Sequence, residues 1–319
     1  MSRVLVLGVN GMLGSMVFDY LSSRDGYCVI GTVSSHDKIC DTENILGRFG
    51  SIVKMDATTP TDIDGLIQNG AFEYVINCVG VIKPNINESS RESIVNAIYI
   101  NSVFPHDLAS AVEGTQTRVI QIATDCVYSG RKEPRHGDPH DPTDIYGKTK
   151  TLGEVMWCDN FKNIRCSIIG PEILSRQYSL IENITQKAVN GEKIAGYTNH
   201  TWNGVTTLAF SKVCDGLMRS KEFDSLNAVE HLTSSTEVSK ASLVRLILAL
   251  GGNLGASFSR TASMDNARLM SIPATDKTKN LWKLGGYDQA PSIYELMIEL
   301  AKYLERTTAF NMNFAPADQ

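Results

Sequence analysis

The chain has 319 residues, a formal net charge of −5 from 30 basic against 35 acidic side chains, and 42% hydrophobic residues. That is enough apolar material for one large domain or two modest ones, and no long basic run marks a nucleic-acid or anionic-membrane surface. The longest apolar runs, such as "LVRLILAL", are too short to cross a bilayer, and "MSRVLVLGVNGMLG" lacks a signal-peptide design, so a cytoplasmic protein is expected.

In chain order, "RVLVLG" (3–8) predicts a strand and "MLGSMVFDYLSS" (12–23) a helix. Strands follow at 27–33 and 51–56, a helix at 61–70, and a fourth strand, "EYVINCVG", at 73–80. A long helical pattern over 92–113 is interrupted near Pro105, a fifth strand covers 118–129, a helix 145–158, and a sixth strand 163–170. Nearly continuous apolar strands alternating with helices predict an α/β fold, a doubly wound, Rossmann-type parallel sheet. The rhythm changes after "GPEIL". Residues 1–170 are therefore read as a nucleotide-binding domain and 171–319 mainly as a smaller mixed substrate-binding region, parts of which return to the sheet. The tail after Arg306 has weak periodicity and is expected to be poorly ordered.

"GVNGMLG" places Gly8, Gly11 and Gly14, with Asn10, Met12 and Leu13 between them, after the first strand and at the start of the first helix. Glycines there let the backbone approach a pyrophosphate at the positive end of a helix. A ribose-binding carboxylate is expected at the end of the second strand in an NAD site. Here the chain offers Ser34 and Ser35, with His36 and Lys38 beyond, which suits a 2′-phosphate and favours NADPH. Asp37 keeps NAD open. Seven cysteines, at 28, 40, 78, 126, 158, 166 and 214, form no C-x-x-C pair and read as free thiols. Six scattered histidines lack metal-binding spacing, so no catalytic metal is expected.

Two Tyr-x-x-x-Lys spacings occur, Tyr128 with Lys132 and Tyr146 with Lys150. Ser129-Gly130 after Tyr128 signals a turn, so the first pair does not share a helical face. Tyr146 starts a helical stretch, and Lys150 falls one turn later on the same face. An ammonium and a positive nicotinamide ring nearby would favour the phenolate and lower the tyrosine pKa. Such a tyrosine can protonate a carbonyl oxygen while hydride reaches the carbon.

Together "GVNGMLG", "INCVG", "IYIN", "IATDCVYSG", "YGKTKTLGE" and "IRCSIIG" resemble the extended short-chain dehydrogenase/reductases, and most closely the dTDP-4-dehydrorhamnose reductase family. The resemblance covers residues 1–170, with a looser match at "WNGVTTLAF". It implies that Thr124 holds the substrate carbonyl beside Tyr146, and that Lys150 also binds the nicotinamide ribose. It further implies that Asp56 and Ala57 meet the adenine, that Cys78, Val79 and Gly80 line the ribose and nicotinamide side, that Asn101 supports the lysine through water, and that Ile168 passes the nicotinamide. Asp125 lacks the following glutamate of the dehydratases, since Cys126 stands there. Lys83, Asp125, Trp202, Asn203 and Thr206 are expected, with Thr124, to face the substrate.

The expected activity is NADPH-dependent reduction of a nucleotide-linked 4-keto-6-deoxyhexose in surface-glycan synthesis. A nucleotide-sugar epimerase, and a non-catalytic dinucleotide-binding subunit like the regulatory subunit of methionine adenosyltransferase, remain alternatives. The helices at 92–113 and from Tyr146 carry Ile98, Val103, Val155 and Met156 as surplus apolar positions, which predict a homodimer.

Overall fold

A computed structural model describes residues 1–46, 50–173, 179–220, 222–253, 255–262 and 268–307. The first half contains β1 (Ser2–Leu7), α1 (Met12–Ser22), β2 (Tyr27–Val33), α2 (Asp37–Leu46), β3 (Ser51–Lys54), α3 (Pro60–Gly70) and β4 (Tyr74–Asn77). Then come α4 (Arg91–Ile98), a π turn at Tyr99–Val103, α5 (Phe104–Val112), β5 (Arg118–Ala123), α6 (Ile145–Leu152) and β6 (Phe161–Arg165). The second half adds β7 (Ile168–Ile169), α7 (Leu180–Val189), β8 (Ile194–Tyr197), β9 (His200–Trp202), β10 (Val205–Thr206) and α8 (Thr207–Arg219). It closes with β11 (Val229–His231), β12 (Val238–Ser239), α9 (Lys240–Leu250), β13 (Phe258–Thr261), β14 (Arg268–Met270), α10 (Asp276–Leu284) and α11 (Ile293–Leu304).

The main sheet has seven parallel strands in the order β11-β6-β5-β4-β1-β2-β3. Strand order reverses between β1 and β4, and ligands of such sheets bind in the crevice at that switch point. Both faces are covered. Along β1, Val4 and Val6 enter one apolar cluster with α1 and α8, while Leu5 and Leu7 enter the other with Ile63 of α3 and Leu108 of α5. This is the period-2 alternation of a strand buried on both sides. The first cluster continues without a break into α9, α10 and α11.

The second half is not confined to the substrate side. β11 pairs with β6 as the seventh strand, and α8 packs on α1. The remaining short strands make small sheets, β7 with β10, β9 between β12 and β14, and β8 with β13.

Several predicted boundaries differ, the sixth strand dividing into β6 and β7, and three of the differences have a visible cause. The fifth strand stops at Ala123, because the Thr124 hydroxyl caps a 3₁₀ turn by accepting from Cys126 N. The helix expected over 145–158 stops at Leu152. Its would-be continuation is captured by the sheet: Gln121 donates to the Gly153 carbonyl at 2.9 Å and Asn163 to the Val155 carbonyl at 2.8 Å. These amides belong to a buried ladder, Asn77 to Gln121 to Asn163, across β4, β5 and β6. Val155 is consequently buried and covers its own core, whereas Ile98, Val103 and Met156 are exposed. The break expected near Pro105 is a π turn just before it, and the chain stays helical through Val112. No helix among the described residues is long and apolar enough to cross a membrane. The tail expected to be poorly ordered lies, beyond Thr307, outside the described residues.

Candidate active site

A cleft runs along the carboxyl ends of β1 to β6 in three adjoining chambers. The first, about 200 Å³, is bounded by the glycine turn, Ser34, Asp56, Ala57 and Cys78 to Gly80. The second, about 400 Å³, shares Cys78 to Gly80 and adds Met12, Leu13, Thr124, Asp125, Tyr146, Lys150 and Ile168. The third, about 250 Å³, shares Asp125, Cys126 and Ser167 to Ile169 and ends on His200, Trp202, Lys240 and Met270.

The glycine turn is shaped for a phosphate. Gly8 has φ of +79°, a left-handed conformation that favours glycine. A Cβ on Gly14 would lie 2.2 Å from the Gly8 carbonyl oxygen, so the helix can start this close to the strand only without a side chain. Gly11 caps α1 with no side-chain hydrogen bond, leaving the helix N-terminus facing the first chamber. Backbone N–H groups and the helix dipole there attract an anion. The chamber could therefore hold a dinucleotide, its pyrophosphate over Asn10 and Gly11.

At the end of β2, Ser34 lines the chamber and accepts a hydrogen bond from Lys38 Nζ at 2.8 Å. Asp37 lies in the first turn of α2, and a hydrogen bond from the Ser35 hydroxyl holds its carboxyl below the usual range. Neither Ser35 nor Asp37 lines the chamber, whereas Ser34, which holds the Lys38 ammonium, does. Asp56 caps its own turn, accepting from Thr58 N and Oγ1, and presents its edge beside Ala57.

In the second chamber α6 presents Tyr146 and Lys150. Asp144 caps that helix by accepting from Gly147 N at 2.8 Å, and its other oxygen takes Lys83 Nζ at 2.7 Å. Lys83 is thus exposed at the rim as a strut for the cap and does not line the cleft, contrary to its expected position facing substrate. Tyr146 lies beside Thr124 in the wall of this chamber. Burial pushes the Tyr146 phenol well above its ordinary range, with Cys126 adding and Thr124 opposing. This is opposite to the direction expected beside an ammonium and a nicotinamide ring, because burial is the largest influence on the phenol. Lys150 is buried, donates to the Ile122 carbonyl at 3.0 Å, and is pulled down to about 8 by burial.

Asn101, expected among the cofactor-site residues as a support for the lysine through water, lines none of the three chambers. Its amide donates to Val81 O and to Thr149 Oγ1, and its oxygen accepts from Val81 N at 2.8 Å. It ties the segment after β4 to α6, and its neighbour Ile100 reaches the cleft instead. In the third chamber Trp202 lines the wall, but Asn203 and Thr206 do not. The Asn203 amide is paired in both directions with the Ile272 backbone, and Thr206 caps α8 by accepting from Ala209 N. Their polar groups are spent on structure.

The sequence reading missed His200, Lys240, Leu243 and Met270, which share the third chamber with Trp202. His200 was within reach of sequence reasoning, since it lies two residues before Trp202 on one strand face. Lys240 and Met270 come from β-strand and helix ends that only the small sheet around β9 brings together. None of the seven cysteines is in a disulfide, and Cys78, Cys126 and Cys166 border the second chamber.

The family described as RmlD substrate binding domain matches residues 2–268. Methionine adenosyltransferase 2 subunit beta of Xenopus tropicalis is 27% identical over 188 residues, 59% of this chain and 50% of that protein. The dTDP-4-dehydrorhamnose reductase of Mycolicibacterium smegmatis is 30% identical over 155 residues, 48% of this chain and 40% of that protein. The chain spans about half the length of the curated relatives it matches. Among solved structures, dTDP-4-dehydrorhamnose reductase from Bacillus anthracis in complex with NADP has a TM-score of 0.72 at 18% identity, covering 96% of this chain and 100% of that one. UDP-glucuronic acid 4-epimerase from Bacillus cereus in complex with NAD has a TM-score of 0.71 at 15% identity, covering 95% of this chain and 96% of that one. At these identities the solved structures share the fold, which hosts more than one reaction.

Proposed function

From the chain's membership of the RmlD substrate binding domain family, we propose that it is an NADPH-dependent reductase acting on the 4-keto group of a nucleotide-linked 4-keto-6-deoxyhexose. The observation that carries the reading is the meeting of Thr124, Tyr146 and buried Lys150 in one chamber, at the end of a glycine-cradled cleft. NADPH, when bound, would supply a hydride.

The chain's own residues do the rest. Gly8, Gly11 and Gly14 receive the pyrophosphate, and Ser34 with Lys38 offers a hydroxyl and a cation to a 2′-phosphate. Cys78, Val79 and Gly80 wall the middle of the cleft, with Ile168 opposite. Thr124 orients the substrate oxygen, and Tyr146 gives it a proton. A phenol that holds its proton firmly in the free enzyme is an acid in the resting state, as net reduction requires. Lys150 puts a positive charge where negative charge develops on the phenol oxygen.

Dehydration would need a second carboxylate after Asp125, and Cys126 occupies that position. The third chamber combines the apolar walls of Leu180, Leu243 and Met270 with Trp202, His200 and Lys240, a mixture that suits a sugar joined to an anionic nucleotide. The likeness to methionine adenosyltransferase 2 subunit beta supports a second reading, a dinucleotide-binding regulatory subunit. We further propose a homodimer formed through α4, α5 and the segment after α6, in the cytoplasm.

The deciding experiment is NADPH oxidation with a panel of 4-keto nucleotide sugars carrying dTDP, UDP or GDP. Turnover with one of them is expected. NADPH binding with no turnover across the panel would overturn the reductase reading in favour of the regulatory one.

A further inference from the structure

Outside the cleft, one side chain ties the end of α6 to α5. His106 of α5 meets the Leu152 carbonyl through Nε2 at 2.9 Å. Its other nitrogen, Nδ1, accepts from the Trp157 indole Nε1–H at 3.0 Å. The two ring planes lie within 10° of each other, with centroids 6.3 Å apart. A ring nitrogen carries its lone pair in the ring plane, so near-parallel planes at that spacing suit an edge-to-edge hydrogen bond.

These partners admit one state of the imidazole. An indole nitrogen only donates, and a carbonyl only accepts. Nδ1 must therefore be bare and Nε2 must carry the proton, which makes the ring neutral. A second proton would have to go on Nδ1, where it would face the indole N–H, donor against donor. The bond from Nε2 has no such conflict. It ends on the carbonyl of the last residue of α6, where the helix dipole favours a positive charge. One proton thus opposes one of the two bonds and favours the other.

The surroundings of His106 come from three elements. On its own helix Asp107 stands beside it, and Asp64 of α3 acts on Asp107. Burial and Asp64 hold the Asp107 carboxyl above its usual range, with His106 opposing. The segment after α6 brings the uncharged Trp157 and then Cys158, a thiol that burial pushes up and whose Sγ points to the Ala109 carbonyl at 3.9 Å. We propose that His106 and Trp157 form a proton-operated latch on this flank: the neutral ring holds the indole against α5, and the protonated ring releases it while keeping its bond to Leu152. Trp157 is 49% exposed and follows exposed Met156, so the indole has open space to swing into. The latch lies on the flank given above to the homodimer and takes no part in the cleft chemistry.

Imidazole is the side chain whose charge ordinarily changes between pH 5 and 8, and the test covers that span. The chain has three tryptophans. Incorporated as 5-fluorotryptophan, they are followed by 19F NMR in the full chain, the Trp157 signal being the one lost in Trp157→Phe. That signal is expected to move through a one-proton transition as pH falls from 8 to 5. The Trp282 signal, from a buried ring that donates to the Thr233 carbonyl, is expected to hold still and report an intact fold. His106→Asn keeps an acceptor near the place of Nδ1 but cannot take the proton, and its Trp157 signal is expected to stay at the high-pH position throughout. His106→Phe keeps a ring without an acceptor and is expected to hold the signal at the low-pH position throughout. A parent signal unmoved across the span would overturn the proposal. So would a movement that survives in His106→Asn, since Asp107 would then be the group that titrates.

Discussion

Tyr146 sits where burial chiefly decides its protonation, away from the glycine turn, and that makes its contribution separable from binding. Tyr146→Phe removes the proton donor without touching the glycine turn or Lys150. It is expected to lower kcat by about 100-fold or more, with NADPH affinity by fluorescence titration nearly unchanged. Tyr128→Phe removes one hydrogen bond to Arg165 and is expected to cost far less; a reversal of the two would mean that the wrong tyrosine had been chosen. At the other end of the cleft, Lys38 Nζ on Ser34 sets a cation beside the ribose position, while Asp37 is engaged with Ser35. NADPH is therefore expected to bind more tightly than NADH, and Lys38→Ala to narrow the gap by about 1 kcal/mol, one charge-assisted contact. Equal dissociation constants for the two cofactors in the parent would show that Asp37 reaches the ribose.

A two-turn helix carries Tyr146 and Lys150, and it is held at both ends by other elements. Asp144 caps its start. At its end a Cβ on Gly153 would lie 1.9 Å from the carbonyl oxygen of Asn101, in the π turn between α4 and α5. Helix and π turn approach this closely only because residue 153 is glycine. Gly153→Ala is expected to destabilise the fold by about 1–3 kcal/mol, since backbone must move to relieve the overlap; an unchanged midpoint in urea unfolding would show that the contact is not needed. This is also where legibility in the sequence ends. The strands, the glycine turn and the Tyr146–Lys150 pair were readable because each follows from local periodicity or spacing. The end of α6 was not, because its helical pattern runs on to Cys158 and only the amides of Gln121 and Asn163, on two other strands, stop it. Asn203 and Thr206 look like binding residues in the chain, and only tertiary contacts show their polar groups already used. His200, Lys240 and Met270 meet across a sheet built from residues far apart in sequence, a juxtaposition that no local pattern encodes.

Over the whole molecule, six of the exposed large apolar side chains come from α4, the π turn and the end of α6, elements that touch one another, and from the residues just after them. Val95 and Ile98 on α4, Val103 in the π turn, and Leu152, Met156 and Trp157 at and after the end of α6 are each at least 37% exposed. Contiguous apolar surface of this kind marks interaction sites, and a self-complementary helix pair can form a two-fold contact. Sedimentation equilibrium at micromolar concentration is expected to show a dimer that Met156→Glu converts to monomer. A parent chain that stays monomeric would end the homodimer proposal. The return of β11 to the main sheet bears on synthesis. β6 receives its outer neighbour only when residues 229–231 are made, after the whole of β7 to α8. At about 5–20 residues per second the ribosome leaves the Phe161–Arg165 edge open for several seconds. An open strand edge is a template for pairing with another chain. The nascent polypeptide therefore passes through an interval of aggregation risk, and a product cut near residue 170 would never leave it.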